Sequence, residues 1–143
     1  MRSLPNVEGS VNMIFIVDDS KALRDRLVSM LSELEGIEVV GQAGNAAEAI
    51  SGIRRLRPRA VVLDIQMPGG SGIEVLRTIK REVPPTVVVM LTNHTHAQYR
   101  EKCMELGADY FLDKTRDLDK LAEIFQDLVE QFGLEGPTAG VIR

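Results

Sequence analysis

The sequence predicts a doubly wound α/β domain, a parallel sheet with helices on both faces. Three observations predict it. Short runs rich in Val and Ile alternate five times with stretches of helical spacing, a (βα)5 pattern. Several of those runs are apolar without interruption, as strands covered on both faces are. The 143 residues, 44% hydrophobic and 27% charged, suit one domain with a substantial core. Strand order does not follow from alternation. The flavodoxin-like order 2-1-3-4-5 is adopted by analogy, with right-handed crossovers.

Each element has its own signal. Met13-Ile14-Phe15-Ile16-Val17 is the first strand. Leu23, Leu27, Met30, Leu31 and Leu34 then fall on one helical stripe, with Arg24, Asp25 and Glu33 off it. Residues 37–43 form a second strand. Asn45 caps a helix running to Leu56, with Glu48 placed to close a capping box. Residues 60–63 are the third strand. Ser71 or Gly72 opens a helix that ends at Val83, ahead of Pro84-Pro85. Residues 86–91 are the fourth strand, and the helix after it ends near Leu106, with Gly107 in the left-handed position. Tyr110-Phe111-Leu112 is the fifth strand. Asp117 caps a last helix with the stripe Leu118, Leu121, Ile124, Phe125, Leu128 and Phe132. Residues 1–11 and 133–143 lack periodicity and read as tails around a folded unit of 12–132.

Composition excludes several classes. A net charge of −4 argues against a general nucleic-acid binder, which needs surplus Lys and Arg. A single Cys103 excludes an internal disulfide and a cysteine-based zinc site, and fits a reducing compartment. No apolar run approaches the roughly 20 residues of a membrane span, and the first twelve residues lack a signal peptide's apolar middle. A cytoplasmic protein with no membrane association is expected.

Ligands of an open parallel sheet bind beyond the carboxyl ends of its strands. The first strand ends in Asp18-Asp19, the third in Asp64, the fourth in Thr92, and the fifth runs into Asp113-Lys114. Taken singly these are helix-start or turn residues. Together they bring three acids, a hydroxyl and a lysine to one edge. Two carboxylates 4 Å apart repel by roughly 4 kcal/mol at an effective dielectric near 20, so three call for a counter-ion. The ligands are all oxygens and few, which favours Mg²⁺. A carboxylate nucleophile, Asp64, beside Mg²⁺ and Lys114 makes a phosphoryl-transfer site.

At these residues the chain resembles the receiver domain of bacterial two-component response regulators. The matching pieces are Asp18-Asp19, Asp64 in Val-Val-Leu-Asp-Ile-Gln-Met-Pro-Gly, Thr92 in Val-Met-Leu-Thr, and Lys114 in Tyr-Phe-Leu-Asp-Lys. The resemblance implies that Asp64 accepts a phosphoryl group from a phosphohistidine on a sensor histidine kinase or phosphotransfer domain. It implies that Asp18, Asp19, Asp64 and the Gln66 backbone carbonyl hold Mg²⁺, and that Lys114 pairs with the phosphoryl group. Thr92 and Phe111 would then form the switch, read by a downstream protein on the face of the fourth helix, fifth strand and fifth helix. Three departures stand out. Thr115 follows the lysine where the family has proline. Asn93 follows Thr92 where a small residue is common, so it either restricts access or holds the hydrolytic water. Eleven residues after Phe132 are too few for an output domain, so a stand-alone receiver is expected.

The alternatives are a phosphorelay carrier or phosphate sink, which uses the same acid, and an interaction module that keeps the fold without phosphorylation. Enzymes of related folds are disfavoured. An aspartyl phosphatase needs a second acid two residues on, where Gln66 stands. A flavin binder needs a phosphate loop where Asp18-Asp19 would repel phosphate, and a P-loop is absent. The four arginines at 54, 55, 57 and 59 read as a solvated helix C-terminus, His94 and His96 as a surface loop, and Cys103 as a packed side chain.

Overall fold

A computed structural model describes residues 13–134. Five strands make one parallel sheet: β1 (Met13–Val17), β2 (Glu38–Ala43), β3 (Ala60–Leu63), β4 (Val87–Thr92) and β5 (Tyr110–Asp113). Their order is β2-β1-β3-β4-β5, the flavodoxin-like arrangement. The helices are α1 (Lys21–Ser32), α2 (Ala46–Leu56), α3 (Gly72–Glu82), α4 (Ala97–Glu105) and α5 (Leu118–Leu128). A π-helical stretch, Val129–Leu134, continues α5. The expected tail at 1–11 lies outside the described residues, as does all of 133–143 beyond Leu134.

Alternate residues of β1 explain the unbroken apolar runs. Ile14 and Ile16 face Leu27 and Leu31 of α1 and Leu121 and Phe125 of α5 in one buried cluster. Phe15 and Val17 face the other way, into a second cluster with Ala49 and Ile53 of α2, Leu76 and Ile79 of α3 and Cys103 of α4. Neither face of β1 meets water, so no polar residue is needed on either side. Phe125 is fully buried, and truncating it to alanine would cost about 3–5 kcal/mol.

The helix ends follow the sequence signals with instructive differences. Asn45 Oδ1 accepts the Glu48 N–H at 2.9 Å. The complete capping box forms at α3, where Ser71 Oγ accepts from Ile73 N–H and the Glu74 carboxylate accepts from Ser71 N–H. Gly107 ends α4 at φ +103°. Asp117 stands at the N-cap of α5, but its side chain makes no cap bond and turns back to the Asp113 N–H. Arg54 is also more than a solvated charge. Its Nε and Nη2 grip both carboxylate oxygens of Glu82 at 2.8 and 2.7 Å, joining α2 to α3. That hydrogen bonding lowers the Glu82 carboxyl to about 2.

Candidate phosphoryl-acceptor site

The sheet itself aligns the acids. The Asp18 N–H donates to the Ala43 carbonyl at 3.0 Å, and the Asp64 N–H donates to the Val17 carbonyl at 3.1 Å. Each acid is thus held one step past the end of its strand by the neighbouring strand. The side chains are then fixed locally: Asp18 Oδ1 accepts from Ser20 N–H at 2.8 Å, and Asp64 Oδ1 accepts from Ile65 N–H at 2.7 Å. Asp18 and Asp64 are buried, and Asp19 is exposed. Carboxylate oxygens of all three lie within 4.8 Å of one another.

Gly72 makes this placement of Asp64 possible. It donates its N–H to the Ile65 carbonyl at 2.6 Å, and a Cβ at this position would run into the Asp64 carbonyl oxygen. A short antiparallel ladder, Gln66–Met67 against Gly70–Ser71, shapes the loop between them. The sequence gives no periodic signal for two-residue strands.

Lys114 crosses to the acids from β5. Its ammonium lies 2.7 Å from Asp18 Oδ2 and 2.8 Å from Asp64 Oδ2, with its side chain 15% exposed. Burial alone would depress the lysine, but the bonds to Asp18 and Asp64 outweigh it and hold the ammonium above its ordinary value. For Asp18 the balance goes the other way. Burial pushes its carboxyl above the ordinary range, against the pull of Lys114.

The loop carrying Lys114 is set without proline. The Lys114–Thr115 peptide, like every other among the described residues, is trans. The Thr115 N–H, which proline would lack, donates to Asp113 Oδ1 at 2.8 Å. The Asp113 N–H donates to Asp117 Oδ2, and the Asp117 N–H returns to the Asp113 carbonyl. The Lys114 N–H bonds the Thr92 carbonyl at 2.9 Å. Turns closed by Asp side chains are a common local alternative to backbone pairing. The Asp-x-Thr spacing was their only trace in the sequence.

Thr92 is fully buried, and its Oγ1 accepts from His94 N–H at 3.0 Å. Phe111 is buried at 8% exposure, with the Arg100 guanidinium 5.6 Å above its ring. Asn93 meets Thr115 across the mouth of the site, where Thr115 Oγ1 donates to Asn93 Oδ1 at 3.3 Å. A cleft of about 410 Å³ opens here, lined by Asp19, Asp64, Gln66, Asn93, His94 and Lys114 among others. Thr92 and Phe111 are not among its lining residues. His94 and His96 pack about Tyr99 at 5.9 and 6.1 Å between ring centres. Sequence reasoning assigned no part in the site to Arg24, Arg100, Asp113 or Asp117.

The parallel sheet thus gathers an acidic triad and a lysine beyond its strand ends. The response regulator receiver domain matches residues 14–126, and the chain belongs to that family, a family of phosphorylation-accepting signalling domains. An uncharacterized response regulatory protein of Vibrio cholerae is 40% identical over 116 residues, covering 81% of this chain and 48% of the relative. A LuxR-family DNA-binding response regulator from Staphylococcus aureus aligns with a TM-score of 0.76 at 27% identity, covering 82% of this chain and 98% of that one. A CheX-CheY-BeF3-Mg²⁺ complex from Borrelia burgdorferi aligns with a TM-score of 0.72 at 27% identity, covering 84% and 88%. The chain spans about half or less of the length of the curated relatives it matches. Among the described residues, no helix is long and apolar enough to cross a membrane.

Proposed function

We propose that this protein accepts a phosphoryl group on Asp64 from a histidine kinase or phosphotransfer domain, and that it signals by binding another protein in the phosphorylated state. The observation that carries this reading is the Lys114 ammonium bridging two buried carboxylates of a three-carboxylate cluster. The donor set fits a hard cation. Its ligands are oxygens, one acid is exposed, and the cleft is open enough for retained waters. Asp18, Asp19, Asp64 and the Gln66 carbonyl would hold Mg²⁺, which neutralises phosphoryl oxygens. A related CheY contains Mg²⁺ and BeF3 in its complex with CheX, in support of the same chemistry here.

In the transfer, an Asp64 carboxylate oxygen attacks phosphorus. The P–N bond of the phosphohistidine breaks, and its electron pair stays on the imidazole. Lys114 shifts its bonds from the carboxylates to the incoming phosphoryl oxygens. Thr92 and Phe111 act as the switch, Thr92 donating its hydroxyl hydrogen to a phosphoryl oxygen. Moving a two-state element from 1:99 to 99:1 takes about 5.5 kcal/mol. Charge-assisted bonds from Thr92 and Lys114, at about 1.5–3 kcal/mol each, are of that order. Exposed Met104 on α4 and Tyr110 on β5 favour the α4-β5-α5 face as the partner surface. We place the protein in the cytoplasm, where a kinase donor is found.

Intact mass after incubation with acetyl phosphate and Mg²⁺ tests the reading. The wild type gains one phosphoryl group, whereas Asp64→Asn gains none. Equal gain by both proteins would remove Asp64 from the role. No gain by the wild type, together with no response to beryllium fluoride, would remove the phosphoryl chemistry itself and favour a phosphorylation-independent module.

A further inference from the structure

Arg24 lies one turn into α1, off the apolar stripe, where a solvated side chain is the ordinary outcome. It is half-buried instead. Its Nη1 donates to the Asp18 carbonyl at 2.6 Å, and its Nε donates to Gln42 Oε1 on β2 at 2.9 Å. Both acceptors are neutral oxygens, so the guanidinium is committed to holding backbone and strand and not to an ion pair. Gly44 leaves it the room. A Cβ there would lie 3.0 Å from Arg24 Nη1 and 3.8 Å from the Asp18 carbonyl oxygen. The planar fork spans the β1–α1 loop and the edge strand at once, which a single ammonium does not do.

We propose that Arg24 is a positioning residue for the Asp18–Asp19 pair. By holding the Asp18 carbonyl it orients the peptide between the two acids, so that both carboxylates converge in front of Asp64 and bind a divalent cation tightly. The inference rests on the reading of this cluster as a Mg²⁺ site. Its basis is general: outer hydrogen bonds that fix the direction of a metal ligand set much of the affinity. Charge alone predicts the opposite sign. Deleting a cation near three carboxylates strengthens their attraction for Mg²⁺. A variant that keeps the charge and loses the fork therefore isolates positioning.

The test is calorimetric titration of the full chain with MgCl₂ at constant ionic strength, for wild type, Arg24→Lys, Gly44→Ala and the double variant, with thermal melts in EDTA. Arg24→Lys should weaken Mg²⁺ binding about tenfold, the low end of the effect expected for an outer partner of a metal ligand. Gly44→Ala, which crowds the guanidinium, should weaken it in the same direction. The double variant should be no weaker than Arg24→Lys, because both changes act through one contact. Melts in EDTA should stay close to wild type. Wild-type affinity in Arg24→Lys, or independent losses that multiply in the double variant, would overturn the proposal and leave the site reading intact. A wild type that binds no Mg²⁺ would overturn both.

Discussion

Asp113 and Asp117 hold each other across the loop that presents Lys114: the Asp113 N–H donates to the Asp117 carboxylate at 2.9 Å, and the Asp117 N–H donates to the Asp113 carbonyl at 2.8 Å. The arrangement supplies, by one side-chain and one backbone hydrogen bond, the rigidity that a proline ring would otherwise bring. The backbone bond from Asp113 leads the causes that hold the Asp117 carboxyl below its ordinary value of 3.8. A carboxyl depressed in the folded state stabilises it fully above the ordinary value and loses that contribution as pH falls through the lower, folded value. The Asp113 amide resonance should therefore titrate with a midpoint below pH 3.8, and Asp117→Asn should abolish that titration. A midpoint at or above the ordinary value would contradict the turn.

Removing Lys114 should destabilise the metal-free protein and strengthen its response to Mg²⁺. Lys114→Met leaves Asp18 and Asp64 buried without their shared ammonium. Breaking a buried pair from one side costs about 3 kcal/mol or more, a melting shift on the order of 10 °C. Mg²⁺ at a hundredfold excess over Kd returns about 2.7 kcal/mol by binding only the folded state. Melts with EDTA and with Mg²⁺ should show a larger Mg²⁺-induced rise in the variant than in the wild type. Equal rises would show that Lys114 is not the competing counter-ion.

Gly72→Ala should disturb Asp64 from behind. The added methyl meets the Asp64 carbonyl oxygen, which is backbone and has little freedom to yield. Overpacking of this kind costs about 1–3 kcal/mol. A urea melt should show that loss, and acetyl phosphate labelling should slow alongside it. A variant as stable and as readily labelled as the wild type would rule out the close approach.

Asn93→Ala and Thr115→Val should shorten the lifetime of the phosphorylated protein to a similar degree, because they break the same bond across the mouth of the cleft. A neutral hydrogen bond contributes about 0.5–1.5 kcal/mol, so each half-life should fall roughly two- to tenfold. Loss of phosphoryl mass with time measures it. An unchanged half-life in both would mean that Asn93 does not govern access to Asp64.

The fold was legible because its signals are local and repeated. Residues 13–17, 60–63 and 87–92 are apolar at every position but the last Thr92, and each became a strand buried on both faces. Asp18, Asp64 and Lys114 were legible as site candidates by one rule, that chemistry collects past the carboxyl ends of parallel strands. Asp117 shows where such reading stops. Its type and position fit a helix cap, but the strand-end N–H of Asp113, four residues back, offered a competing donor, and that local turn took the side chain.

By itself, then, the sequence determined the order of elements, the apolar stripes of its helices, and which acids stand at strand ends, because these depend on periodicity within about a dozen residues. Only the tertiary structure decided the partners. Lys114 reaches Asp64 across 50 residues of chain, and Arg24 reaches Gln42 across 18. Such contacts have no local pattern. They form because the sheet order brings β5 within reach of β3 and β1, and because Gly44 and Gly72 leave space where any side chain would intrude. The counter-ion of the acidic cluster and the clamp on its backbone are properties of packing, and packing is set by the whole chain at once.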